Sequence, residues 1–300
     1  MAIFVDKKTR LLIQGITGKE GMRASQESLS YGTKVVAGVT PGKGGQKVGK
    51  VPVYDTVAEA QRKHKDINAT FITVPGRFVK DAALEAILAK IPLVVILTEH
   101  VPVLDAAWIV AYAKREGVQV VGPSAIGIIS PGKAKVGSIG TGEMTRGFKP
   151  GPVGVMSKSG GMTSELCFAL TKAGLGQSTA IGMGGDVIAG SSFVDMLKLF
   201  AQDKETKAVV MFAEVGGSYE EDAAMWITKN KFKKPVVAIV AGGFGKLLPE
   251  DTVLGHAGAI VSRGKGSYES KIKTLKSAGV MIAATVEEIP IVLKKALKLR

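Results

Sequence analysis

The sequence predicts an α/β protein built from two doubly wound domains. Short aliphatic runs alternate with longer mixed stretches through most of the 300 residues. Such alternation of strands and helices implies parallel strands joined by right-handed crossovers. Glycine-rich clusters follow several of the runs, at the strand ends where such sheets bind ligands. The composition agrees, because 46% hydrophobic but only 6% aromatic residues imply aliphatic cores, and a chain of this length suits two domains of ordinary size.

In the first half, Leu11–Ile13 is an apolar run that leads into glycine, the pattern of a buried strand. Val35–Val39, Thr70–Val74, Leu93–Leu97 and Val118–Val121 repeat it. Helical segments are expected between them, at Glu20–Tyr31, Val57–His64, Val79–Lys90 and Val103–Glu116. From Gly122 to Pro152 the chain turns rich in Gly, Pro, Ser and Lys with little periodicity, and reads as an ordered connection with room for a hairpin. A second alternating series follows. Its strands are Val153–Met156, Thr179–Met183, Ala208–Phe212, Val236–Val240 and Val280–Ala283. Its helices are Met162–Ala173, Phe193–Phe200, Glu220–Lys229, Tyr268–Ser277 and Val286–Leu299, a flavodoxin-like order. The expected division is 1–122, a connection at 123–151, and 152–300.

The formal net charge is +14. That suits nucleic acid, an anionic membrane, a phosphorylated ligand or an acidic partner subunit. The lysines are scattered apart from mild clusters at Lys229–Lys234 and Lys294–Arg300, with no nucleic-acid-binding motif, so no nucleic-acid partner is expected. The single cysteine, Cys167, lies in an apolar run and fits a buried thiol in a reducing, cytoplasmic setting. Met1–Arg10 lacks a signal-peptide core, and no run reaches the ~18 apolar residues of a membrane span.

Four loops carry chemistry. Gly15-Ile16-Thr17-Gly18-Lys19-Glu20-Gly21 follows the first strand, where glycines let backbone approach a phosphate and a helix N-terminus offers N–H groups. The second strand ends in Thr40-Pro41-Gly42-Lys43-Gly44-Gly45 without the acid that reads a ribose diol, which points away from NAD and toward another phosphorylated ligand. Ser157-Lys158-Ser159-Gly160-Gly161-Met162 combines hydroxyls, glycines and a helix start as an anion cradle, although capping alone explains one serine. Gly182-Met183-Gly184-Gly185-Asp186 and Glu214-Val215-Gly216-Gly217 end two further strands. Finally, His256 stands in Gly255-His256-Ala257-Gly258-Ala259, where tiny neighbours let a bulky group approach the ring. Histidine can act there as nucleophile or base, and Glu214 could orient it; in isolation the pattern better fits a solvent-exposed loop histidine. His64 and His100 read as a surface and a strand-end residue.

These motifs together resemble the α subunit of succinyl-CoA synthetase and its relatives, through QGITGKEG, GVTPGKGG, LTEHVP, VGPS, GMGGD, EVGG and GHAGAI. The resemblance implies an N-terminal Rossmann-like CoA-binding domain plus a C-terminal flavodoxin-like doubly wound ligase domain. It implies that Thr17, Gly18, Lys19, Glu20 and Lys43 hold CoA, with Val74, Pro75, Leu97, Thr98 and Glu99 lining the site. It implies that His256 is phosphorylated from ATP or GTP, with Glu214 contacting the histidine. The N-terminus of the following helix, Ser157, Ser159, Gly160, Gly161 and Ser164 would cradle the phosphate. The nucleotide and Mg²⁺ would sit mainly on a β, or large, ATP-grasp subunit in an αβ or α2β2 assembly. The phosphoryl group would then pass to a carboxylic acid substrate.

Two departures bear on the acid. Where succinate enzymes read SRSGTLTYE, this chain reads SKSGGMTSE, so that Gly161 and Ser164 replace a threonine and a tyrosine and enlarge the pocket. Where they read GPNCPG or GPNTPG, this chain reads Gly122-Pro123-Ser124-Ala125-Ile126-Gly127. Both loops, and the segment from Gly243 to Leu254, are similar to ATP-citrate lyase and citryl-CoA synthetase. The expected activity is therefore an acid–CoA ligase with citrate favoured, succinate second and malate third. A non-catalytic CoA-binding regulatory protein is the alternative of another class.

Overall fold

The computed structural model describes residues 3–140, 142–243 and 266–299. Its first half contains β1 (Arg10–Gln14), α1 (Lys19–Tyr31), β2 (Lys34–Val39), β3 (Lys47–Val48), β4 (Val51–Tyr54), α2 (Val57–Lys63), β5 (Ala69–Ile72), α3 (Val79–Leu88), β6 (Leu93–Ile96), α4 (Val103–Glu116) and β7 (Gln119–Val121). They form a sheet in the order β3-β4-β2-β1-β5-β6-β7, parallel throughout except for β3 against β4. Helices cover both faces, so β5 and β6 are buried along their whole length and read as continuous apolar runs. Without the edge strand β3, the order is that of a dinucleotide-type Rossmann sheet, with its topological switch between β1 and β5.

The second half contains β8 (Gly127–Ser130), β9 (Ala134–Gly137), β10 (Pro150–Ser157), α5 (Gly160–Lys172), β11 (Gln177–Gly182), α6 (Phe193–Gln202), β12 (Ala208–Glu214), α7 (Tyr219–Lys229), β13 (Val236–Ala241), α8 (Tyr268–Ser277), β14 (Met281–Ile282) and α9 (Glu288–Ala296). Its sheet runs β14-β13-β12-β10-β11-β8-β9. The five strands from β14 to β11 are parallel in flavodoxin-like order, with the switch between β10 and β12. Within the segment read from sequence as a connection, β8 and β9 pair as a hairpin, and β8 adds antiparallel to β11. That segment therefore supplies the edge of the second sheet.

The two sheets are joined by specific bonds. The Thr33 hydroxyl on the first accepts from Lys135 N–H and donates to Lys135 O, both at 2.9 Å. Gln119 donates to the Ser191 hydroxyl at 2.8 Å. Beyond β6, Ala125 N–H donates to Ile96 O and Ser124 N–H to Thr98 O, each at 3.0 Å. Ile126 then packs against Gly160 at the start of α5 and Gly182 at the end of β11. A continuous path of packed residues thus runs from the end of one sheet to the strand ends of the other.

Candidate active site

The switch point of the first sheet opens into a cavity of about 840 Å³. Gln14, Gly15, Thr17 and Gly18 line one side, and Val74, Pro75, Phe78 and Ala82 the other. Gly15 has φ +82°, and a Cβ there would stand 2.9 Å from Thr73 Oγ1, so the turn that delivers α1 to the cavity requires glycine. Gly18 caps α1 with no side chain bonded to the first turn. The first N–H groups of the helix and its positive dipole end are therefore not taken up by a capping side chain, an arrangement that suits an anion. Thr17 Oγ1 bonds Thr40 Oγ1 at 3.2 Å, tying the loop after β1 to the loop after β2.

Of the residues expected to hold CoA, the structure brings Thr17, Gly18, Val74 and Pro75 to the cavity wall. Exposed Lys19 and half-buried Glu20 begin α1, and exposed Lys43 lies on the loop after β2. Leu97, Thr98 and Glu99 lie at the end of β6 beyond the wall, where the Thr98 hydroxyl donates to Val74 O at 2.7 Å and so shapes the wall from behind. Sequence reasoning missed Asp55, Phe78, Asp81 and Glu85, which also line the cavity. Asp55 accepts from Gly44 N–H at 2.9 Å and holds the glycine loop that carries Lys43. Glu85 accepts from Val57 N–H at 2.7 Å. Burial pushes its carboxyl up, against the pull of that N–H, and Glu59 adds to the rise. Phe78, Asp81 and Glu85 are spaced as one face of the turn and helix at 76–88, but Asp55 comes from the loop after β4, and no sequence interval shows that the two meet.

The second switch point, between β10 and β12, holds the other cluster. Ser157 ends β10 fully buried, and its hydroxyl donates to Ser159 O at 2.8 Å and accepts from Ser159 N–H at 3.1 Å. It thus shapes the loop from within. Ser159 caps α5, accepting from Met162 N–H at 3.4 Å. Gly160 allows no side chain, since a Cβ would lie 2.5 Å from Ile126 Cγ2, whereas a Cβ on Gly161 would meet nothing within 4 Å. Ser164 is buried on the next turn. Across the crevice, buried Glu214 ends β12.

A buried charge network unforeseen from sequence underlies this cluster. Lys158 Nζ lies 3.7 Å from Glu214 Oε1 and 3.8 Å from Glu220 Oε1, and 4.7 Å over the ring of Tyr219. Glu220 in turn is hydrogen-bonded to Lys271 of α8, which also reaches Glu221 and Gly217 O, each at 3.1 Å. The signal was present as a lysine inside the serine–glycine loop, but its inward orientation is set by the carboxylates opposite. His256 and its glycine-rich neighbours lie outside the described residues. Among the described residues no group of three or more His, Cys, Asp or Glu side chains could hold a metal ion, and no helix is long and apolar enough to cross a membrane.

The described site thus pairs a cavity at the N-terminus of α1 with a serine–glycine loop at the N-terminus of α5. Residues 6–100 match the CoA binding domain family and residues 156–281 the CoA-ligase family. This pair of domains is that of the acid–thiol ligases that form acyl-CoA. Over its whole length the chain is 47% identical to the succinate–CoA ligase [ADP-forming] subunit alpha of Staphylococcus aureus, covering 99% of this chain and 96% of that one. It is 48% identical over 289 residues to the succinate–CoA ligase [ADP-forming] subunit alpha 2 of Archaeoglobus fulgidus, covering 96% and 97%. The chain belongs to the succinate–CoA ligase α-subunit family.

Among solved structures, ATP citrate lyase from Methanothrix soehngenii in complex with citrate and coenzyme A superposes with a TM-score of 0.91 at 22% identity, over 99% of this chain and 50% of that one. A dinucleotide-forming acetyl-coenzyme A synthetase 1 from Ca. Korarchaeum cryptofilum gives 0.74 at 20% identity, over 94% and 59%. The present chain thus spans little more than half of these larger chains, and the likeness is one of fold.

Proposed function

We propose that the protein is the CoA-binding, histidine-phosphorylated α subunit of a nucleotide-dependent succinate–CoA ligase. The observation that carries this reading is the uncapped N-terminus of α1 at the rim of the 840 Å³ cavity. A glycine turn that a Cβ would fill, free helix N–H groups and apolar walls fit the pyrophosphate and pantetheine of CoA. Bound there, CoA supplies the thiol that takes up the acyl group. Thr17, Gly18, Lys19, Glu20 and Lys43 hold CoA, and Val74, Pro75 and the strand end at Leu97, Thr98 and Glu99 line its site.

In the second domain, a ring nitrogen of His256 attacks the γ-phosphorus of ATP or GTP. An N–P bond forms, the bridging P–O bond breaks, and the nucleoside diphosphate leaves with the electron pair. Glu214 accepts a hydrogen bond from the imidazole, while Ser159, Gly160 and Gly161 at the N-terminus of α5 receive the transferred anion. An oxygen of the acid then takes the phosphoryl group from His256, breaking the N–P bond. Attack of the thiol on the acyl carbon expels phosphate. Dividing the reaction through a covalent intermediate replaces one hard step by easier ones.

The nucleotide and Mg²⁺ belong mainly to a β subunit with an ATP-grasp fold, in an αβ or α2β2 assembly. The domains are taken as 1–122 and 152–300 with a connection at 123–151, whose hairpin adds to the edge of the second sheet. A single buried cysteine suits a cytoplasmic setting.

Full-length identity near one half to α subunits named for succinate supports succinate as the acid. Citrate is the second reading, favoured by the open space at Gly161. The test combines this chain with its β subunit, CoA, ATP and a panel of succinate, citrate and malate. Highest kcat/KM with succinate is expected. Highest kcat/KM with citrate establishes the second reading, and absence of acid-labile phosphate on the wild-type chain overturns both.

A further inference from the structure

The lysine cluster at Lys229–Lys234 takes no part in either switch point. Its last two members, Lys233 and Lys234, precede β13 and meet Lys204 and Lys207, which precede β12, around a cavity of about 310 Å³. Asp203 and Thr206 also line it. β12 runs from here through seven residues to Glu214, so the cavity lies about 20 Å from the crevice at the other end of the strands.

The fold accounts for one of these lysines. Lys234 Nζ donates to Phe200 O and, at 2.6 Å, to Asp203 O, at the end of α6 where the helix dipole favours a cation. Burial lowers its pKa; Asp203 opposes the shift and Lys207 adds to it. Among the described residues, no hydrogen bond or ion pair holds the ammonium groups of Lys204, Lys207 and Lys233. The carboxylate of Asp203 accepts from Glu205 N–H at 3.2 Å and from the Thr206 hydroxyl at 2.6 Å, and Glu205 is paired with Lys133. Four ammonium groups thus surround one concavity that a single carboxylate lines. Like charges so gathered repel one another, and a concave wall focuses their field on an entering anion. Lysine meets that anion as a compact point charge, which suits phosphate, and no arginine lines the cavity to grip a planar carboxylate. The volume is that of a small-molecule site.

We propose that the N-terminal ends of β12 and β13 form a binding site for a polyphosphate anion, the class of pyrophosphate and of a nucleotide's phosphate tail, separate from the CoA cavity and from the α5 crevice. Lys204, Lys207 and Lys233 supply the free charge, and Lys234, anchored on the end of α6, adds to it. The site does not depend on the ligase reading.

The test is calorimetric titration of the full-length chain, saturated with CoA, with inorganic pyrophosphate and, in a second arm, with ADP. Saturable one-to-one binding that weakens as salt is raised is expected. Lys207→Gln/Lys233→Gln should weaken it about tenfold or more, the size of two lost charge contacts. Lys7→Gln/Lys8→Gln makes the same change in net charge at exposed positions before β1 and should leave binding unchanged. All four positions are exposed, so both variants should fold. Thermal unfolding gives an independent readout, in which pyrophosphate should raise the Tm of the wild type and of K7Q/K8Q more than that of K207Q/K233Q. Tighter binding of ADP identifies a nucleotide as the occupant, and equal or tighter binding of pyrophosphate a free polyphosphate. Binding that does not saturate in the wild type, unweakened binding by K207Q/K233Q, or an equal loss in both double variants overturns the proposal. A chain that fails to take up CoA counts against the ligase reading and leaves the comparison of variants intact.

Discussion

Gly160 and Ile126 are in such close contact that a Cβ on the glycine would lie 2.5 Å from the isoleucine Cγ2. The contact joins the segment leaving the first sheet to the helix N-terminus that serves the second. Gly160→Ala should therefore destabilise the protein by about 1–3 kcal/mol, the usual cost of overpacking. It should also slow histidine phosphorylation, because relief of the clash tilts the first turn of α5. Denaturant unfolding and labelling with ATP check the two effects; loss of stability alone would show that the turn moves rigidly.

Gly15 shows the same logic at the cavity of the first sheet. Its φ of +82° and the 2.9 Å approach to Thr73 Oγ1 leave no room for a side chain. Gly15→Ala should cost about 1–2 kcal/mol in backbone strain. If the turn shifts away from the phosphates by an equivalent energy, CoA binding weakens by about tenfold. Calorimetric titration with CoA reads this directly, with Thr73→Ser as a control that retains the neighbouring hydroxyl.

Gly161 makes the opposite prediction. Nothing would meet a Cβ there, so Gly161→Thr should leave stability within about 0.5 kcal/mol. The added side chain fills space in the proposed acid site, and the kcat/KM ratio of citrate to succinate should fall. An unchanged ratio would remove Gly161 from the residues that select the acid.

Ser192 starts α6 with a reciprocal capping box, its hydroxyl accepting from Asp195 N–H while Asp195 accepts from Ser192 N–H. Ser192→Ala should cost about 0.5–2 kcal/mol. CoA affinity should not change, since α6 does not line the cavity. Thermal unfolding with and without CoA separates the two.

Lys135 carries a pH dependence. Its side chain is 1% exposed, and burial lowers its pKa in the folded protein, partly opposed by Glu27. Below that folded value the buried charge destabilises the fold in full. Between it and the unfolded value near 10.5 the unfolded chain binds more protons, so this lysine makes stability rise with pH. Lys135→Met should flatten the rise. The difference between wild type and variant, followed by denaturant unfolding from neutral to alkaline pH, isolates this group from the tyrosines that titrate nearby.

Much of the architecture is legible in the residues. Runs such as Leu93–Leu97 and Ala208–Phe212 are long enough, apolar enough and well enough bounded to be strands on local grounds alone. The short strands β3 and β4 carry no such run, and while the segment at 122–152 leaves room for a hairpin, its addition to β11 as a sheet edge is not legible, because that pairing joins segments distant in the chain. The hydroxyls and glycines of both loops are visible as types, but their use is not. Ser157 bonds its own loop, and Thr98 braces Val74 rather than facing the cavity.

The sequence by itself determined the alternation of elements, the glycine turns at strand ends and the motifs that identify the family, since these depend on local sterics and spacing. Only the tertiary structure decided what meets across the two switch points. Asp55, Phe78, Asp81 and Glu85 converge on one cavity, and Lys158, Glu214, Glu220 and Lys271 on one crevice. Those meetings arise from crossovers that bring residues far apart in sequence into a shared space, where charge and packing act at distances no sequence interval records.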